Sequence, residues 1–185
     1  MRAVKGKNSK PLPIPETLKH LTKKEVQAEK ARRLFPDFIG MTQPRLAIDG
    51  FHRKYYEVLD RFARGDIRKL IVTIPPQHGK SQGSTVGLPA YLLGVNPDLR
   101  IALASYNLSL ASRFNRQIQR MMDSKSYRTL FPGSRLKAPG SKENYIRSAE
   151  EFEVIGQEGG VIAVGREGAL TGNPVDVMVI DDLYR

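Results

Sequence analysis

Two short clusters in this chain carry residue types suited to handling phosphate. The apolar run Leu70-Ile71-Val72-Thr73-Ile74 passes through Pro75, Pro76, Gln77 and His78 into Gly79-Lys80-Ser81. A buried strand ending in such a turn brings backbone N–H groups around phosphate oxygens: Gly79 permits the close approach, and the next helix aims its positive end at them. Lys80 would reach the β- and γ-phosphates, and the Ser81 hydroxyl would ligate Mg²⁺. A second apolar run, Val175 to Ile180, ends in Asp181-Asp182. Two adjacent carboxylates at a strand end are costly unless a cation offsets them. Asp181 is therefore the candidate metal ligand, and Asp182 the candidate for orienting or deprotonating an attacking water. Plainer readings stand beside these. Ile74 occupies the position of the first Gly in GxxxxGK[ST], which leaves an ordinary strand-to-helix turn open, and Asp182 could cap a following helix.

Those groups need elements to position them. Residues 16–34 carry a thin helical stripe (Leu18, Leu21, Val26, Leu34), and Phe35-Pro36-Asp37 and Thr42-Gln43-Pro44 read as punctuation. Asp49 caps a predicted helix to about Arg64, with Phe51, Tyr55, Val58, Leu59 and Phe62 on one face. Residues 67–74 read as the first core strand, buried on both faces of a parallel sheet. The helix from Gly79 toward Leu93 is expected to break or kink at Gly83, Gly87 and Pro89. Arg100 to Ser105 reads as a second strand, followed by a helix capped by Asn107 or Ser109 and running through Met122. Residues 143–165 alternate like short antiparallel strands around a Gly156 to Gly160 turn, and Val175 to Ile180 is the last strand.

Composition narrows the classes. With 185 residues and 40% hydrophobic content, the chain can form one α/β domain behind a tail. It has no Cys and only three His, which excludes disulfide frameworks and thiolate metal sites and leaves no zinc pattern. No apolar run approaches membrane-spanning length, and no signal-like segment follows the basic N-terminus. Net charge is +11, of which +7 lies in residues 1–33, where ten Lys/Arg face three acidic residues. Such a balance suits a polyanionic partner, and the leader serves either as a nucleic-acid contact or as a solubilising tail.

Taken in order, Ile-Pro-Pro-Gln-His-Gly-Lys-Ser, Tyr-Leu-Leu-Gly-Val-Asn-Pro-Asp-Leu-Arg-Ile-Ala-Leu-Ala-Ser-Tyr, Leu-Phe-Pro-Gly, and Leu-Thr-Gly before Val-Ile-Asp-Asp resemble the N-terminal ATPase domain of the large terminase subunit of tailed bacteriophages and prophages, over about residues 45–185. The resemblance implies an α/β P-loop NTPase of the ASCE type, a mostly parallel sheet flanked by helices and incomplete at its C-terminus. Residues 1–40 would be a basic flexible leader with a possible helix, and residues 41–185 a partial ATPase domain. It implies a motor that couples Mg²⁺-dependent ATP hydrolysis to packaging of double-stranded DNA into a procapsid in the host cytoplasm, as a homo-oligomeric ring working with a portal protein and a small terminase subunit. Lys80 and Ser81 match the phosphate-loop Lys and hydroxyl, with Gln77, His78 and Gly79 in the same cofactor-binding loop, and Asp181 matches the Walker B carboxylate. Asp182 stands in place of the usual Glu, and Gln77 where similar terminases often carry Arg. Arg166 then becomes a candidate finger on a neighbour's ATP, or a solvated loop residue, and His52 a candidate adenine contact, or a helix-surface residue. In such motors the strand between the phosphate-loop and Walker B strands comes later than Arg185, so an open slot and reduced or absent activity are expected. A helicase-like translocase and a nucleotide- or DNA-binding module without turnover are the alternatives.

Overall fold

The computed structural model describes residues 22–46, 48–168, 172 and 174–184. The expected basic arm at 1–15, Leu18 and Leu21 lie outside them. Thr22 opens α1 (Lys23–Arg33) with a reciprocal capping box, its hydroxyl accepting from the Glu25 N–H while the Glu25 carboxylate accepts from the Thr22 N–H. Then α2 (Phe35–Thr42) follows at once, with Pro36 in its first turn, where a missing N–H costs nothing. The break expected at 35–37 is therefore a helix start. Phe35, Phe38 and Ile39 are fully buried, and the Arg32 Nε donates to the Leu130 carbonyl at 2.8 Å. Among the described residues the packed body thus includes α1 and α2, inside the segment expected to be a leader with a possible helix.

Asp49 caps α3 (Gly50–Ala63) by accepting from the His52 N–H, and the helix buries Tyr55, Tyr56 and Leu59. After the loop at 76–79 the chain enters a π-helical turn, Gln82–Gly87, which runs into α4 (Leu88–Val95) with Pro89 in its first turn. The expected kink takes this form. Next come β1 (Arg100–Ser105), α5 (Leu108–Met122) capped by Asn107, and α6 (Lys125–Leu130) capped by Ser124, the last not foreseen. Phe35, Phe38, Tyr91, Tyr127 and Phe131 form an aromatic cluster with ring centroids 5.2–6.3 Å apart, and this cluster ties α2, α4 and α6 into one core.

The sheet has four strands in the order β2-β3-β1-β4, where β2 is Glu151–Glu153, β3 is Gly160–Gly165 and β4 is Val177–Asp181. β1 is central and pairs parallel with both β3 and β4, placing Ser105 beside Gly165 on one side and Asp181 on the other. β2 lies antiparallel on β3, and Gly156, at φ +74°, turns the chain between them. Only part of 143–165 is strand, and β3 joins β1 in parallel. α5 packs on β1 and β3, so the whole is an α/β protein with a mixed four-stranded sheet flanked by helices. No helix among the described residues is long and apolar enough to cross a membrane.

Two strand expectations change. Residues 67–74 form no strand: the chain bends at Arg68 and Lys69, and no residue from 67 to 75 makes a backbone hydrogen bond among the described residues. Their apolar run marks a segment fit for a sheet, but a strand exists only where a neighbour pairs with it. β4 runs Val177–Asp181, starting two residues later and ending one residue later than expected. Val177 and Val179 pack against the core, whereas Met178 and Ile180 are about half exposed.

Candidate functional site

The two clusters read from the sequence meet. β4 delivers Asp181 and Asp182 to the end of the sheet where β1 also ends, and the loop after residues 67–75 delivers Lys80 to the same point. Lys80 Nζ lies 2.9 Å from Asp181 Oδ1 and, across 102 positions of sequence, 3.1 Å from Asp182 Oδ1. Asp181 is buried, and its Oδ2 accepts a 2.8 Å hydrogen bond from the Thr85 hydroxyl. Its backbone carbonyl accepts from the Ser105 hydroxyl at 2.8 Å, which fixes the strand end. Asp182 is exposed and sits at φ +48°, held by the Tyr106 N–H donating to its carbonyl.

Electrostatics follow from this geometry. Burial pushes the Asp181 carboxyl up, but hydrogen bonding from Ser81, Lys80 and Thr85 outweighs it and holds Asp181 below the ordinary carboxylate value. Bonding to Asp181 raises the Lys80 ammonium above its usual value against the opposing pull of burial, and Asp182 adds to the rise. The cluster is thus a charged lysine held between the ionised Asp181 and the carboxylate of Asp182.

The loop itself is shaped by left-handed backbone at Gln77 (φ +62°) and Gly79 (φ +75°). Gly79 is the position that favours glycine by conformation, while Gln77 adopts it at a steric cost. The His78 Nδ1 lies 2.7 Å from the Pro76 carbonyl, closing the loop on itself. The Lys80 carbonyl accepts from two hydroxyls, Tyr55 at 2.8 Å and Ser84 at 2.9 Å, so the start of the helix is anchored from α3 and from its own next turn. Burial raises the Tyr55 phenol to about 12, keeping it a donor. His52 stands close to the loop: a Cβ on Gly79 would lie 3.6 Å from His52 Nε2, and the Phe51 ring meets the His78 ring edge-on at 6.2 Å. Asp49 Oδ1 lies 2.8 Å from His52 Nδ1 and orients the imidazole.

Arg166 is elsewhere. It follows β3 and lines a cavity of about 640 Å³ with Tyr106, Asn107 and Glu167, not the groove that Lys80 lines. Its nearest acidic group is Glu167 at 3.7 Å. Sequence reasoning missed Thr85, Tyr55 and Ser84 as site residues. The signal for Thr85 was its place one helical turn after Ser81, on the same face.

No three acidic or histidine side chains among the described residues gather to hold a metal ion by themselves. The oxygen set of Asp181, Ser81 and Thr85 fits a hard cation that takes its other ligands from phosphate and water, as Mg²⁺ does. Fold and site together define an α/β protein whose parallel strands end at a lysine held between two carboxylates. No protein-family model, curated protein or solved structure matches the chain.

Proposed function

We propose that this chain is the nucleotide-hydrolysing portion of a DNA-packaging motor of the large terminase subunit kind, with ATP and Mg²⁺ as its cofactors. The observation that carries this reading is the meeting of Lys80 with Asp181 and Asp182 at the end of parallel strands, beside a loop with left-handed turns at Gln77 and Gly79. Bound Mg²⁺·ATP would supply the phosphoanhydride to be cleaved and a cation to offset its charge. The Lys80 ammonium would bind the terminal phosphate oxygens. Asp181 and the Ser81 hydroxyl would hold the metal, directly or through water. Asp182, exposed to solvent, would orient water and accept its proton. His52 and Phe51 would flank the base, and Arg166 would act on a neighbouring subunit's nucleotide in an assembled ring.

The test is nucleotide binding and phosphate release measured together. Lys80→Ala should abolish binding of a fluorescent ATP analogue, and Asp182→Asn should keep binding while losing hydrolysis. Binding that survives Lys80→Ala would end the reading. The lack of a backbone partner for 67–75 among the described residues favours a second reading, a nucleotide-binding module without turnover. Lys80-dependent binding with no phosphate release would select it.

A further inference from the structure

Both oxygens of Asp181 are engaged by side chains of this chain. Lys80 Nζ takes Oδ1 at 2.9 Å, the Thr85 hydroxyl takes Oδ2 at 2.8 Å, and the Ser81 hydroxyl also hydrogen-bonds the carboxylate. The same ammonium reaches Asp182 Oδ1 at 3.1 Å, so it bridges the two carboxylates at the point where a cation shared between them would lie. The two hydroxyls are no obstacle to a metal ion, since each can turn a lone pair toward it. The ammonium is an obstacle. It carries a positive charge and no lone pair, so it repels a cation and cannot join its ligand shell.

Lys80 is also held in reach of this position. Its carbonyl accepts from the hydroxyls of Tyr55 at 2.8 Å and Ser84 at 2.9 Å, which confines its movement to the four-carbon stem. A cation arriving from solution therefore competes with a tethered partner whose local concentration is on the order of millimolar or above. The Lys80 side chain is 30% exposed against 4% for Asp181, so the stem has an open side through which to turn away while the carboxylate stays fixed. Lys80 follows directly on the left-handed turns at Gln77 and Gly79, and a phosphate held by that loop would attract the ammonium off the carboxylates.

We propose that Lys80 determines which metal the site accepts: it excludes divalent cations free in solution and yields Asp181 and Asp182 to a cation that arrives already bound to phosphate. The phosphate draws the ammonium away as its own cation replaces the lost charge, so the buried Asp181 keeps a counter-charge throughout. This inference rests on the reading of Asp181 as a metal ligand.

The test is titration of the full chain with Mn²⁺ alone, an ion that like Mg²⁺ prefers oxygen ligands, followed by the electron paramagnetic resonance signal of the free ion. The parent should bind Mn²⁺ no more tightly than Asp181→Asn does. Lys80→Met keeps the length of the stem and removes the charge, while Lys80→Gln removes the charge and keeps a donor for Asp181, which guards against loss of the fold. Both variants should bind Mn²⁺ about tenfold or more tightly than the parent, because one positive charge has left the ion's immediate neighbourhood. Adding Asp181→Asn should cancel the gain. Mn²⁺ should also raise the thermal midpoint of the Lys80 variants more than that of the parent, a readout that needs no turnover. A gain that depends on Asp181 supports the proposal. Equal affinity in the parent and both variants, a gain that survives Asp181→Asn, or tight Asp181-dependent binding of Mn²⁺ by the parent overturns it. No nucleotide enters these measurements, so failure of ATP-analogue binding would end the nucleotide reading alone, and tight binding of free metal by the parent would end this inference alone.

Discussion

Lys80 faces two carboxylates of unlike setting, and the difference decides what each can do. Asp181 is walled in and its oxygens are claimed by Lys80 and Thr85, which makes it a fixed charge. Asp182 holds Lys80 with one oxygen and leaves most of its carboxylate in water. Thr85→Val tests the fixed charge without reference to any ligand, because valine keeps the shape and removes the donor. The variant should lose about 2 kcal/mol at neutral pH, the usual worth of a hydrogen bond to a buried charged group. Asp181 is held below its ordinary value of 3.8, so its contribution is fully present above that value and is lost as pH falls through the lower folded value. Thr85→Val brings the folded value back up, so urea denaturation should show a smaller penalty at about pH 3 than at neutral pH. An equal penalty at both would mean that Thr85 does not favour the ionised carboxylate. Lys80, Ser81, Asp181 and Asp182 were legible in the sequence because each sits beside an apolar run that fixes its place. Thr85 and Tyr55 were not, since their roles arise from a fold contact 96 residues away in one case and from a neighbouring helix in the other.

The element that aligns the site is the π-helical turn after Ser81. Its wider winding lets Gly83 lie against α3, where a Cβ would come 2.7 Å from Tyr55 Cε1 and 3.0 Å from Tyr56 Cε1. Gly83→Ala must push these rings aside, and Tyr55 is the residue whose hydroxyl holds the Lys80 carbonyl. The expected cost is about 1–3 kcal/mol, typical of overpacking, read as a fall in the thermal midpoint. Weakening of the Tyr55 hydrogen bond should also appear as faster exchange of amides at the start of this helix. A variant as stable as the parent would show that the rings have room to move. Gly83, Gly87 and Pro89 announced a disturbed helix, but a bend and a π turn share the same residues, and the choice depends on Tyr55 and Tyr56 across the interface. The same limit explains residues 67–74. Apolar, β-branched residues specify an extended backbone, and pairing is a property of the neighbour. Pro36 misled in the opposite direction, since a proline reads as a break in the middle of a helix and as a start in its first turn.

At the scale of the molecule, the +11 charge and the packed body must be separated before the leader can be given a role. The boundary expected at residue 40 would have mixed two things, because α1 and α2 bury Ala28, Ala31, Phe35 and Phe38 in the core. Periodicity in this region was thin, and its burial comes from aromatic partners on α4 and α6 that lie far along the chain. Deleting residues 1–33 would therefore remove α1 from the body along with the basic arm. Deleting residues 1–21 removes five Lys/Arg and one acidic residue and spares the capped start of α1. If the arm contacts nucleic acid, the full chain should bind short duplex DNA with an affinity that falls about a thousandfold between 50 and 200 mM salt. The deletion should lower the slope of log K against log salt by about 2–4, because each phosphate that the arm no longer neutralises keeps close to one condensed counterion. If Lys80 binds nucleotide as proposed, the deletion should leave that binding unchanged, since Lys80, Thr85, Asp181 and Asp182 all remain. An unaltered slope would assign the arm to solubility and move any DNA contact onto the packed body, where Arg113, Arg116 and Arg120 form an exposed stripe along α5.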